Sequence, residues 1–432
     1  MSENLFNKSF NESFSAILVG VSKNNYNYEI ETSLDELESL VESANGIVLG
    51  KVIQKLDKIN TSTYIGKGKV VELAEYVANL EVDTVVFDDE LSGIQIRNLE
   101  DQIGTKVIDR TILIMDIFAA RANSKEGRLQ VELAQLQYRL PRLVGFGKSL
   151  SRLGGGIGTR GPGEKQIETD RRHIRRRIDD LKRDLADIQK TRTLHRKKRK
   201  KSGIPIVALV GYTNVGKSAI MNYMLESYGK EEKKVEEEDM LFATLDAKHR
   251  LIEFDNNRQF ILVDTVGFVS KLSHNLVDAF KGTLQEAEYA DLIIQVEDIS
   301  HNRTDFQRDV LNNVLDDLKL SEKKSIFVYN KIDKIDNQIE NSSIFEQNND
   351  NRVFVSAKTG LNMDKLKNAI EKNVFEDEKE LKLLIPFDKA NLASKLCDNT
   401  NVLNIEYKDD GIHMLARLNE RDQELVKKYV TI

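Results

Sequence analysis

The chain has 432 residues, of which 40% are hydrophobic and 31% charged, enough for two or three domains with real cores. No apolar run reaches 18 residues and the start, MSENLFNKSFNESF, lacks a basic-then-apolar leader, so a helical membrane span is excluded and a cytoplasmic location expected. Its one cysteine, Cys397, has no internal disulfide partner, which fits a reducing compartment and a small apolar packing role. The net charge of −6 hides an asymmetry: Arg160 to Lys201 hold 17 Lys and Arg against 7 Asp and Glu, a local +10 that leaves the rest near −16. A cationic block on an acidic chain points to a polyanionic partner approached by one part of the molecule.

Residues 1–110 alternate strand and helix patterns. FSAILVGVS, GIVLGKVIQ, DTVVFDDE and KVIDR read as strands. SLDELESLVESA, KVVELAEYVANL and SGIQIRNLEDQI read as amphipathic helices, with Ser33 and Ser92 in capping positions. The pattern predicts a small α/β domain with a mostly parallel sheet. TYIGKGK at 63–69 has too few glycines, and no Ser or Thr after its lysine, to be a phosphate loop; it reads as a turn.

Residues 111–201 turn helical. Leu129, Leu133, Leu136, Leu140 and Leu143 form one heptad seam, and Ile167, Ile174, Ile178, Leu181, Leu185 and Ile188 a second. Two neighbouring seams predict an antiparallel helical hairpin. Between them, 144–163 is a glycine-rich basic loop: eight of the chain's 24 glycines fall in 145–163. Such a loop has almost no capacity to build a core, and a bare linker needs no stalk. A flexible backbone bearing Lys148, Arg152 and Arg160 suits contact with RNA phosphates at the hairpin tip. Arg171 and Arg172, in RRHIRRR, and the run HRKKRKK extend those cations along the second helix.

Residues 202–375 carry the chemistry. GYTNVGKS (Gly211, Tyr212, Thr213, Asn214, Val215, Gly216, Lys217, Ser218) follows the apolar run IPIVALV and precedes a helical stretch, the context of a phosphate-binding loop. Its N–H groups face the phosphates, Lys217 reaches the β- and γ-phosphates, and Ser218 offers a hydroxyl to Mg²⁺. DTVG (Asp264, Thr265, Val266, Gly267) ends the next strand pattern: Asp264 is expected in the Mg²⁺ shell, and the Gly267 N–H at the γ-phosphate. NKID supplies Asn330, Lys331 and Asp333. Asp333 accepts the ring N–H and exocyclic amine of guanine, a donor pair that adenine lacks, Asn330 meets the N7/O6 edge, and the Lys331 stem lies along the base. SAK (Ser356, Ala357, Lys358) places the Ala357 N–H at guanine O6. Taken alone, SAK is better read as an ordinary turn; the ordered set carries the assignment. Thr244, in DMLFATLDA, is the candidate switch threonine that ligates Mg²⁺ when the γ-phosphate is present. Lys217, Thr244 and Gly267 are the expected catalytic residues. Phe268 stands where many GTPases carry a water-orienting glutamine, so slow hydrolysis by the isolated chain, with a partner supplying the missing group, is expected.

Residues 376–432 read as a small α/β appendage ending in a charged helix, RDQELVKKYV, with no residues that suggest chemistry. The predicted class is therefore α/β: a P-loop GTPase domain, an N-terminal α/β domain with an antiparallel helical hairpin, and a small C-terminal α/β domain.

The strings SRLGGGIGTRGPGEKQIETDRRHIRRRI, GYTNVGKS, DMLFATLDA, DTVGFV, VYNKID and VSAKTG together resemble the HflX family of translational GTPases. The glycine-rich string is the specific part, and the likeness extends over nearly the whole chain. It implies binding of the large (50S) ribosomal subunit and its rRNA, GTP-dependent splitting of stalled or idle ribosomes under stress such as heat, and hydrolysis stimulated by ribosomes. It also implies a hairpin loop that approaches the peptidyl-transferase region. GTP or GDP with Mg²⁺ is the expected bound group, and a monomer the expected state. The chain departs from the family in LDAKHR after Thr244, in VEDIS after ADLIIQ, and in a long acidic insert before DMLFATLD. Two other readings stay open: a ribosome-assembly or RNA-remodelling GTPase, and a signalling adaptor gated by nucleotide.

Overall fold

A computed structural model describes residues 13–22, 27–143, 162–229, 248–254, 257–271, 286–300, 320–335 and 351–431, with isolated positions at 276, 308, 311, 312, 315 and 316. The chain divides into two units. The first runs to Arg192 and takes in two later returns, Glu238–Asp246 and Val269–Thr283; of these, only Val269–Lys271 and Leu276 are described. The second holds the remainder.

In the first unit, β1 (Phe14–Ser22), β2 (Gly46–Lys55), β3 (Thr84–Phe87) and β4 (Lys106–Asp109) form a sheet in the order β2-β1-β3-β4, parallel throughout. Strand β1 is the continuous apolar run AILVGV, buried from Ala16 to Ser22, as an inner strand covered on both faces requires. Helices α1 (Asn27–Ser43), α2 (Lys67–Leu80) and α3 (Gly93–Ile103) connect the strands. Ser92 caps α3 with a complete capping box, its hydroxyl taking the Gln95 N–H and the Gln95 side chain returning to the Ser92 N–H. Ser33, by contrast, is no cap. Helix α1 begins six residues earlier because Ile30 packs against Gly20 of β1, where a methyl group would lie 2.9 Å from Ile30 Cδ1. Apolar burial extends the helix past its capping signal, and the Ser33 hydroxyl donates instead to Asp88 Oδ2 at 2.7 Å.

Arg110, read as the end of a strand, opens helix α4 (Arg110–Arg121), which Asp109 caps by accepting the Ile112 N–H at 2.9 Å. Helices α5 (Lys125–Arg142) and α6 (Pro162–Ser202) follow, α6 alone being 41 residues long. Leu133, Ile178 and Leu181 form their buried seam, flanked by Leu129, Leu136, Leu140, Ile174 and Leu185. Glu132 pairs with Arg177 and Glu126 with Arg192, so the two helices run antiparallel.

The second unit contains a six-stranded sheet in the order β10-β9-β8-β5-β7-β6. Its strands are β5 (Ile206–Gly211), β6 (Lys248–Phe254), β7 (Arg258–Asp264), β8 (Leu292–Asp298), β9 (Ser325–Asn330) and β10 (Arg352–Phe354). All pairings are parallel except that of the edge strand β6 with β7. Helices α7 (Lys217–Tyr228) and α8 (Met363–Val374) belong to it.

The C-terminal part is a four-stranded antiparallel sheet, β12-β13-β11-β14, formed by β11 (Lys379–Ile385), β12 (Asn401–Lys408), β13 (Gly411–Leu418) and β14 (Val430–Thr431). Helix α9 (Ala390–Asn399) supplies Ala393 and Leu396 to its core. The expected terminal helix is cut short. Helix α10 spans only Glu420–Val426, and Val430–Thr431 pair with β11, since the β-branched pair satisfies an open strand edge better than it extends a charged helix.

Candidate guanine-nucleotide site

Strand β5 ends at Gly211 in the middle of the sheet, where the order reverses between β8 and β7, the place where open α/β sheets collect ligands. The loop Tyr212–Gly216 then turns into α7. A Cβ on Gly211 would strike the Val296 carbonyl of the neighbouring strand, so glycine is required by close approach. Gly216, with φ 94°, lies in the left-handed region at the N-cap of α7, and its missing side chain leaves room for the Asn330 amide. This geometry points the first N–H groups of α7 outward together, with the positive helix end behind them.

Lys217 is buried and donates to the carbonyls of Gly211 (3.0 Å) and Tyr212 (2.7 Å). Burial pushes its ammonium down to about 8, against the pull of the Asp264 carboxylate. The Ser218 hydroxyl donates to Asp264 Oδ2 at 2.8 Å, and Asp264 is fully buried at the end of β7. A hydroxyl and a carboxylate side by side are the hard oxygen donors that suit Mg²⁺ shared with phosphate. The Thr265 hydroxyl donates to the Leu209 carbonyl at 2.7 Å, and Val266 is buried, so both side chains serve the sheet. Gly267 lies against the phosphate loop: a methyl group there would sit 2.8 Å from Thr213 Cα and 2.9 Å from Lys217 Nζ. Phe268 and Tyr212 form a parallel backbone bridge, in which the Thr213 N–H donates to the Phe268 carbonyl (2.8 Å) and the Phe268 N–H to the Gly211 carbonyl (3.2 Å).

The base-recognition strings meet at the ends of β9 and β10. Asn330 is buried; its Nδ2 donates to the Val215 carbonyl (2.8 Å) and its Oδ1 accepts the Ala357 N–H (3.0 Å). It therefore ties the phosphate loop to the SAK loop. Lys331, with φ 66°, donates from Nζ to the Asn214 carbonyl (2.6 Å) and pairs with Asp298 Oδ2 (2.8 Å). Burial raises Asp298, but hydrogen bonds from Lys331 and Ser300 outweigh it and hold the carboxyl below its usual range. Asp333 is exposed, and its Oδ1 accepts the Ser356 hydroxyl at 2.6 Å, which fixes the carboxylate plane. Lys358 is exposed. The motif reading missed Asp298. Its signal was an acidic residue ending β8 directly opposite Asn330 of β9, a pairing visible only once the register is known.

Of the expected RNA contacts, Arg172 is exposed and Arg171 partly buried on α6. Lys148, Arg152, Arg160 and the switch candidate Thr244 lie outside the described residues.

Three family models match the chain: "GTP-binding GTPase N-terminal" over residues 31–119, "GTP-binding GTPase Middle Region" over 121–199, and "50S ribosome-binding GTPase" over 206–331. The chain is 45% identical over 404 residues to the GTPase HflX of Caldanaerobacter subterraneus, covering 93% of this chain and 91% of that one. Against the GTPase HflX of Escherichia coli it is 41% identical over 362 residues, 84% of each. A solved structure, described as the crystal structure of SsGBP and GDP complex, is 26% identical with a TM-score of 0.47, covering 84% of this chain and 99% of that one. A P-loop with the guanine strings in place, set in a chain more than 40% identical to the two HflX GTPases over at least 84% of its length, makes this protein a member of the HflX family of GTPases.

Proposed function

We propose that the protein hydrolyses GTP with Mg²⁺ and uses the cycle to bind the large ribosomal subunit and separate the subunits of stalled or idle ribosomes. The observation that carries the reading is the antiparallel hairpin of α5 and α6, whose second helix exposes Arg172, Arg175 and Arg176 beside a separately packed apolar seam. A helix held by one face and cationic on the other offers Lys and Arg to a phosphate backbone without loss of fold. The family description over 206–331, a 50S-binding GTPase, names a partner of that chemistry.

Residues 111–201 are the arm, 144–163 its tip, 202–375 the GTPase domain and 376–432 the small C-terminal domain. In the site, the loop N–H groups and Lys217 hold the β- and γ-phosphates, while Asp333 and the Ala357 N–H select guanine. Ser218, Asp264 and Thr244 are the residues that would hold Mg²⁺, which neutralises charge between the β- and γ-phosphates when bound. Gly267 senses the γ-phosphate. Phe268 is apolar and 2% exposed, so it orients no water, and ribosome-stimulated hydrolysis is the expected behaviour of a cytoplasmic monomer.

Sedimentation of intact ribosomes with the protein and a non-hydrolysable GTP analogue tests the reading. Free subunits are the expected result. Migration with large subunits alone favours the assembly reading instead, and failure to bind either particle removes the ribosomal function altogether.

A further inference from the structure

We infer that Asp109, Tyr138 and Arg142 clamp the end of helix α5 onto the N-terminal sheet, which makes Tyr138 and Arg142 positioning residues for the cationic end of the arm on a phosphate-bearing surface. The inference rests on the ribosomal reading above, and all of its elements lie in the first unit.

Helix α5 is buried along two stripes. Leu129, Leu133, Leu136 and Leu140 belong to the seam with α6, whereas Val131, Ala134 and Tyr138 repeat at helical spacing on a second stripe, buried outside that seam. Tyr138 is 2% exposed and donates its hydroxyl to Asp109 Oδ2. Asp109 is fully buried at the end of β4; the same oxygen accepts the Leu91 N–H (2.9 Å), while Oδ1 caps α4. Burial pushes the Asp109 carboxyl up, and these hydrogen bonds oppose the shift. One turn after Tyr138, the Arg142 guanidinium lies over its ring, 3.3 Å from the centroid. Arg142 Nε and Nη2 both donate to the Leu91 carbonyl (3.1 and 2.7 Å), and Nη2 also pairs with Glu90 (2.7 Å).

These contacts hold a helix end that its own hydrogen bonds hold poorly. Pro141, in the last turn, has no N–H to donate to the Gln137 carbonyl. The fit on the sheet side is close: a Cβ on Gly93, the first residue of α3, would lie 2.8 Å from the Arg142 carbonyl and 3.1 Å from Arg142 Cα. Across the hairpin Glu132 pairs with Arg177, so the antiparallel pairing brings Tyr138 level with Arg171 and Arg172 of α6. The clamp therefore holds the stretch of the arm where the run of arginines begins. A rigid rRNA surface favours cations that already stand in place, because ordering a loose helix end on binding costs conformational entropy. A flexible polyanion follows the cations wherever they point.

The test compares large ribosomal subunits with polyuridylate as ligands of the full-length chain at one moderate salt concentration. Gly93→Ala wedges α5 away from α3, and the double variant Tyr138→Phe/Arg142→Lys opens the clamp; neither alters the net charge. Each is expected to bind the subunits about tenfold more weakly, the equivalent of one charge-assisted contact, while its affinities for polyuridylate and GTP stay within about twofold of the parent's. The double variant serves if Gly93→Ala unfolds. Equal loss on subunits and polyuridylate overturns the inference, because it marks the clamp as a matter of folding alone. If the parent chain binds no ribosomal particle, the ribosomal reading falls and the inference with it; a parent that binds, with variants that match it, overturns the clamp alone.

Discussion

On the proposed reading, Asp333 and Asn330 divide the work of base recognition. Asn330 is buried and braces the phosphate loop against the SAK loop, while Asp333 is exposed and oriented by Ser356. Asp333→Asn is therefore expected to leave the fold intact and weaken GTP binding by roughly 100-fold or more, since two charge-assisted hydrogen bonds are lost. Xanthine nucleotides, which present the complementary pattern, should be admitted; competition titration with both bases checks this. Unchanged guanine preference would remove Asp333 from the site. Lys217 behaves differently because it is buried and bonded to its own loop. Lys217→Ala removes those bonds as well as a phosphate ligand. It should weaken nucleotide binding or turnover by about tenfold or more, the equivalent of a single charge-assisted interaction.

At the scale of elements, helix α4 holds a titratable group that the site does not use. Burial pushes the carboxyl of Asp116 up to about 7, with Lys106 opposing. A carboxyl raised in the folded state binds more protons there than when unfolded. Its effect on stability is therefore neutral near pH 4, and stability falls as pH rises towards 7. Asp116→Asn removes that loss: it should stabilise the first unit by about 2 kcal/mol at pH 8, after discounting for partial exposure, and by little at pH 4.5. Thermal melts at the two pH values measure it; equal gains at both would contradict the assignment. The hairpin offers a second contrast. Leu181 is fully buried in the α5–α6 seam, so Leu181→Ala should cost about 2–4 kcal/mol. Arg177, although bonded twice to Glu132, is half exposed, and Arg177→Ala should cost at most about 1 kcal/mol. Denaturant midpoints of the two variants discriminate packing from pairing as the source of hairpin stability.

For the molecule as a whole, the proposed function requires the arm and the nucleotide site to be separable. Replacing Arg152 and Arg160 together is expected to reduce co-sedimentation with ribosomes several-fold at moderate salt, with GTP affinity unchanged, because each phosphate contact adds to the salt-dependent term. Loss of nucleotide affinity in parallel would instead mark the loop as part of the GTPase site.

The nucleotide strings, the parallel strands and the α3 cap were legible because each depends on a short stretch of chain. A glycine forced by a tight turn, a serine three residues before its glutamine, or an apolar run long enough for an inner strand declares itself locally. The heptad seams were legible for the same reason, as periodicities within one helix. Helix α1 and the C-terminal end were misread where a distant contact outweighed a local preference: Ile30 on Gly20 in one, Val430 on Leu383 in the other. The partners of Asn330 and Lys331, and the hold of Tyr138 and Arg142 on Asp109 and Leu91, depend on residues separated by 27 to 117 positions. Motif order and spacing by themselves determined that this chain grips guanosine phosphates, since backbone curvature and donor pattern are local properties. Which partners a buried carboxylate such as Asp109 takes, and hence what holds the end of α5, was decided only by tertiary structure, because the energy of a buried ion depends on neighbours that folding brings from far along the chain.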